Sequence, residues 1–238
     1  MAHIDADAIA DRPTVEPVSI DLYWIPLGAD ATVVRVSGRI YEFIAAKLQR
    51  RRRCDLYHSA LIVRLPSGPV AVEMAPALNH LPTDRDVVIE GPVGLRWLGR
   101  FRAFRYEVRC WRNGAIPDAN EAVAVVRIEV DSHVAQRMLD RMTELPAVVW
   151  GRDELRTGEM WNANSVTAWA LRQGNVDTSA LAPPERGRAP GWDAGLIVAA
   201  RGRTIDAARS ARARRAPGTE ASQGTRAVAP ESAQSRRR

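Results

Sequence analysis

Two β-patterned runs, "LYHSALIVRL" and "PVAVEMA", are separated only by "PSGP". Proline, serine and glycine favour a turn there, so the two runs are expected to pair as an antiparallel hairpin. Further strands are expected at "VSIDLYWIPLG", which closes at Gly28, and at "ATVVRV", "FRYEVRCWR" and "VAVVRIEV". Helical periodicity lies between them. Ser37 precedes "GRIYEFIAAKLQRRRR", in which Ile40, Ile44 and Leu48 share a face. The four arginines Arg50 to Arg53 at its C-terminal end complement the helix dipole or form an anion-binding patch. Asp131 and Ser132 open "HVAQRMLDRMTEL", with Val134, Met138 and Met142 spaced by fours and Pro146 as the stop. A last helix follows "EMWNANSVTAW", with Ala163, Val166, Trp169 and Ala170 on one face and Gly174-Asn175 as its terminator. The fold class is therefore α+β, an antiparallel sheet packed against helices.

Composition sets the domain boundaries. Residues 1–16 are acidic and alanine-rich, without a core pattern, and read as a flexible arm. Residues 17–200 form a single domain. The segment "APPERGRAPGWDAGLIVAARG" is expected to close its core irregularly, with a short strand or turn at the end. Residues 201–238 hold ten arginines against three acids and no aromatic residue. That composition reads as a disordered Arg/Ala-rich tail. The whole chain of 238 residues carries 34 Lys+Arg against 28 Asp+Glu, a net charge of +6. The tail accounts for all of that excess, so the domain is close to neutral. A basic nucleic-acid-binding domain is thereby disfavoured, and contact with nucleic acid or an anionic surface is assigned to the tail.

Two cysteines, Cys54 and Cys110, make neither a disulfide scaffold nor a zinc site. No metal and no cofactor is expected. The N-terminus lacks a secretory pattern and no run is long enough to span a bilayer. A cytoplasmic location is the expectation.

His58 and Glu73 are the unusual residues of the hairpin. Alternation places Leu56, His58, Ala60 and Ile62 on one strand face, and Glu73 lies between Ala71 and Ala75 on its own. A carboxylate among apolar residues needs a partner or an exposed cleft. A histidine and a carboxylate on neighbouring strands are what orienting a catalytic imidazole requires. A tight turn pairing Leu65 with Val70 would set Glu73 opposite Ile62, roughly 13 Å along the strand from His58. At the last helix, "NANS" carries more asparagine than a cap needs, and Asn162 or Asn164 serves as N-cap.

The order of elements resembles the circularly permuted branch of the NlpC/P60 papain-like superfamily. The residues that carry the resemblance are "LYHSALIV", "AVEMAP" and "NANSVTAWAL", within roughly Ser19 to Gly174. In that family the catalytic histidine sits on an early strand, an orienting polar residue on the next, and the nucleophilic cysteine last, at a helix start. The resemblance implies His58 as base, Glu73 as orienting residue and Ala163 at the nucleophile's position. It also implies Trp161, Asn162 and Asn164 as ligand-binding residues around it. Alanine keeps the helix N-terminus as an oxyanion site but supplies no nucleophile. The implied function is a permuted papain-like protein without cysteine-hydrolase activity. It would bind an amide- or acyl-type ligand, a small molecule, peptide or lipid, in a retained cleft. One alternative is an active hydrolase or acyltransferase with Ser165 as nucleophile and His58 as base. Ser165 lies about 200° around the helix from Ala163 and would need a later helix start. The other alternative is a non-enzymatic interaction module acting through its tail.

Overall fold

In the computed structural model, residues 17–27, 54–77, 86–184 and 187–215 are described, with side chains described as far as Ile205. The strand at "ATVVRV", the helix after Ser37 and the arginines Arg50 to Arg53 lie outside the described residues.

Apolar alternation produces a six-stranded antiparallel sheet. Its strands are β1 (Ser19–Pro26), β2 (Tyr57–Leu65), β3 (Gly68–Pro76), β4 (Val87–Pro92), β5 (Arg105–Arg112) and β6 (Ala124–Glu129), in the spatial order β4-β5-β3-β2-β1-β6. Ile20, Leu22, Trp24, Leu61, Val63, Val70, Val72, Tyr106 and Val108 face one side and join the main core. Among the described residues three α-helices follow: α1 (Ser132–Arg141), α2 (Ala163–Gln173) and α3 (Trp192–Arg215). Met138 of α1 and Val166, Trp169, Ala170 and Leu171 of α2 bury against that same core. The opposite sheet face carries a smaller cluster of Ile25, Ala60 and Ile116. An α+β fold with an antiparallel sheet packed on helices is what the pattern predicts.

Three particulars differ from the sequence reading. The hairpin turns on two residues, Pro66 and Ser67, so Leu65 pairs with Gly68 and Ile62 with Ala71. Gly68 takes φ +109°, a conformation that glycine supplies without steric cost, and this tightens the turn. Glu73 therefore sits two positions closer to His58 than a Leu65–Val70 pairing would place it. Residues 192–198 form neither strand nor turn but begin α3, which runs on to Arg215. Alanine and arginine are strong helix formers, and that local preference acts without a buried core. The chain divides into two units after Gly202, close to the boundary read from composition. β4 carries too few alternating residues to stand out in the sequence, and only its neighbour β5 makes it a strand. No helix among the described residues is long and apolar enough to cross a membrane.

Candidate functional site

The start of α2 is set by Asn162. Its backbone is extended, and its side-chain Oδ1 accepts from the N–H groups of Asn164 at 2.9 Å and Ser165 at 3.3 Å. Ser165 Oγ in turn accepts from the Asn162 N–H at 3.1 Å. This is a reciprocal capping box, with serine where glutamate is usual. It satisfies two of the orphan donors of the first helical turn.

The second asparagine does a different job. β1 pairs with β2 from Ser19–Arg64 down to Pro26–Tyr57, but the register between β2 and β3 runs only from Leu65–Gly68 to Leu61–Val72. Beyond it, α2 and the chain around Arg188 take over the role of β3. Asn164 Nδ2 donates to the Tyr57 carbonyl at 2.9 Å, and Thr167 Oγ1 donates to the Ser59 carbonyl at 3.2 Å. The Tyr57 N–H donates to the Arg188 carbonyl at 2.9 Å. Ser59 Oγ donates to Asn164 Oδ1 at 2.8 Å. Buried backbone groups need partners, and here helix side chains supply them.

The same residues fasten the start of α3. Asn162 Nδ2 and Asn164 Nδ2 both donate to the Pro190 carbonyl, at 2.8 and 2.9 Å. Ser165 Oγ donates to the Gly191 carbonyl at 2.7 Å, and Glu159 Oε2 accepts from the Gly191 N–H at 2.7 Å. Gly191 has φ +87°, and a Cβ there would stand 2.6 Å from Asn162 Oδ1 and 2.7 Å from Ser165 Oγ. A Cβ on Gly195 would meet the Ser165 carbonyl oxygen at 2.2 Å. Glycine at both positions lets the Pro190–Gly195 segment press onto α2, and Trp192 packs against Trp24 with ring centroids 5.1 Å apart. The result is a sealed joint. Trp161, Ala163, Asn164 and Ser165 are 2, 7, 2 and 0 % exposed. The Ala163 side chain is thus nearly enclosed.

His58 is elsewhere. Ser59, Leu61 and Val63 point toward α2, so His58, Ala60 and Ile62 point to the other face of the sheet. There His58 Nε2 meets Asp118 Oδ2 at 2.9 Å, with the two side chains 24 and 16 % exposed. Asp118 belongs to the loop between β5 and β6, beside the buried Ile116. Burial pushes the Asp118 carboxyl up, but the hydrogen bond and charge of His58 outweigh it and leave the group below its ordinary range. The structure does not bring His58 and Ser165 together: one faces each side of the sheet. Nor does Glu73 orient the Nε2 edge of His58, which Asp118 holds. Glu73 lies opposite Arg109 of β5, a guanidinium only 2 % exposed that donates twice to Glu107.

Comparison with known protein families, curated proteins and solved structures returned no match. The site therefore stands on its geometry. Of the residues named from sequence, Trp161, Asn162, Ala163, Asn164 and Ser165 cluster as one joint, and His58 forms a separate pair. Asp118 was missed because "GAIPDANEA" reads as an ordinary loop, and nothing local ties it to a strand sixty residues earlier. Thr167 and Gly191 were missed because their partners are backbone carbonyls and side chains brought together only by tertiary packing. No group of three or more histidine, cysteine, aspartate or glutamate side chains among the described residues could hold a metal ion.

Proposed function

We propose that the chain is a non-hydrolytic binding protein. On this reading its resemblance to the permuted papain-like superfamily is carried by sequence order, and its ligand contacts centre on His58 rather than on the start of α2. One observation carries this reading. The Ser165 hydroxyl is buried and committed to the Gly191 carbonyl at 2.7 Å, while the imidazole lies across the sheet against Asp118. A serine nucleophile needs a base within hydrogen-bond reach, and among the described residues Ser165 Oγ meets only backbone groups.

The His58 face offers a different chemistry. With Nε2 bound to the Asp118 carboxylate, Nδ1 is the remaining nitrogen, an acceptor in the neutral ring and a donor in the protonated one. An amide group carries both a donor and an acceptor and so matches either state. Ile25, Ala60 and Ile116 are themselves buried beneath the pair, so the partly exposed His58 ring is what a ligand would meet.

The test uses N-hexanoylglycinamide, an acyl chain joined to amides, titrated into the full chain while the histidine ring signals are followed by NMR. Saturable shifts at His58, absent in Asp118→Ala, are expected. A His58 signal unmoved at any concentration would refute the binding site. Ser165-dependent labelling by a fluorophosphonate would refute the non-hydrolytic reading instead, so the two failures are distinguishable.

A further inference from the structure

Between β4 and β5 the chain makes two successive 3-10 turns, Arg96–Arg100 and Arg102–Phe104, in the sequence "LRWLGRFRAF". Neither turn contains a buried residue. Leu95, Trp97, Phe101 and Phe104 are 41, 57, 47 and 43 % exposed. So dense a set of exposed large apolar side chains marks an interaction surface.

The surface is held in place. Arg105 Nε donates to the Gly99 carbonyl, Arg152 Nε to the Gly94 carbonyl at 2.7 Å, and Arg96 reaches Glu154 through two hydrogen bonds of 3.2 and 2.7 Å. Gly99 lies so close to Pro92 that a Cβ would stand 2.8 Å from the proline Cβ. The exposed rings are thus presented by a braced segment, and little ordering entropy is lost when they are buried.

The charge is one-sided. Leu95–Phe104 itself carries three arginines, Arg96, Arg100 and Arg102, and no carboxylate, and Glu154 and Glu90 beside it pair with Arg96 and Arg105. We propose that Leu95–Phe104 is an interfacial anchor that inserts its apolar side chains into the headgroup region of an anionic lipid bilayer. Tryptophan and phenylalanine are suited to that depth, arginine stems lie along the apolar surface while their guanidinium groups meet phosphates, and anionic lipid attracts the surplus charge. A nucleic-acid surface fits less well. The Arg100 guanidinium already lies over the Trp97 and Phe101 rings, 5.2 and 4.7 Å from their centroids, on faces that bases would stack against. Leu95 completes the patch and offers bases nothing to stack on.

The anchor needs no spanning helix and shares no residue with the His58 site. Its test uses the full chain with vesicles of phosphatidylcholine alone or mixed with phosphatidylglycerol, some carrying brominated acyl chains. The mixed vesicles should bind the chain and quench its tryptophan fluorescence. Trp97→Phe should retain binding but lose most of the quenching. The double change Trp97→Ala and Phe101→Ala should weaken binding by about tenfold or more, the scale of losing buried ring surface, with an unchanged circular dichroism spectrum. Four results would each overturn the proposal. These are no binding to mixed vesicles, binding unchanged in the double variant, quenching that survives Trp97→Phe, or Trp97-dependent binding to single-stranded RNA in place of vesicles.

Discussion

Replacing Asn164 by alanine separates a structural joint from a ligand-binding site. The side chain is 2 % exposed and makes three hydrogen bonds, to Ser59 Oγ, the Tyr57 carbonyl and the Pro190 carbonyl. Pro190 would keep a donor, because Asn162 Nδ2 also reaches it. The Tyr57 carbonyl and the Ser59 hydroxyl would each lose a buried partner, at about 1–3 kcal/mol apiece. The amide's own desolvation is relieved in exchange, which leaves a net loss of about 3 kcal/mol. For a domain of this size each kcal/mol lowers Tm by roughly 2–4 °C, so a fall of about 6–12 °C is expected. Denaturant titration of the two full chains measures it directly, with an unchanged slope as the sign that only stability has moved. Ser59→Ala should be strongly non-additive with Asn164→Ala, since both remove the same bond. A residue kept for binding, at the expense of packing, gives the opposite pattern: its removal leaves stability unchanged or raises it. A change in stability within about 0.5 kcal/mol of zero would refute the joint.

Other expectations follow from the same geometry. Asn162→Ala should cost about 1–2 kcal/mol by circular dichroism melting, the cap alone, and so less than Asn164→Ala. Gly195→Ala should cost about 3 kcal/mol, because its Cβ would sit 2.2 Å from a helix carbonyl that cannot step aside, and the readout is the same melt. Asp21 is buried between Arg64 and Arg127; burial pushes its carboxyl up, and the two guanidinium groups more than reverse that, holding it below its ordinary 3.8. A lowered carboxyl stabilises the fold above that pH and loses the contribution as pH falls through the lowered value. Asp21→Asn should therefore be less stable than the native chain at pH 7, with the gap closing below pH 3.8. Burial raises the Cys110 thiol to about 12, so iodoacetamide at pH 8 should leave Cys110 unmodified in the folded chain, as peptide mapping will show.

Much of the frame was legible from residue patterns. The alternation in "LYHSALIV" and "FRYEVRCWR", the Met138–Met142 spacing and the Gly174-Asn175 stop all report local periodicity, and local periodicity decides which face of an element is buried. The turn register was harder, because Gly68 shortens it by a backbone conformation that composition alone does not reveal. The helical path of residues 192–215 was hidden for a related reason. Its alanines and arginines carry helix preference without an apolar stripe, and periodicity is blind to that. In the candidate site, "NANS" carries one asparagine more than a cap needs, and the surplus one bridges a strand end and the start of a second helix. Its role was not legible, because Tyr57, Ser59, Pro190 and Gly191 contribute backbone atoms or a common hydroxyl. The side to which His58 points was equally hidden. Alternation shows which residues share a face, whereas the covering helix decides which face is which.

The most direct test of the account is the reactivity of a thiol placed at residue 163. Ala163→Cys would set sulfur at the helix start that the papain-like resemblance assigns to a nucleophile, in a position now 7 % exposed. Labelling of that residue by iodoacetamide, located by peptide mapping across pH 5–9, should be slow, should rise only toward alkaline pH and should be unaffected by a second change, His58→Ala. Rapid labelling near neutral pH that disappears with His58→Ala would place the imidazole beside residue 163 and contradict the sealed joint.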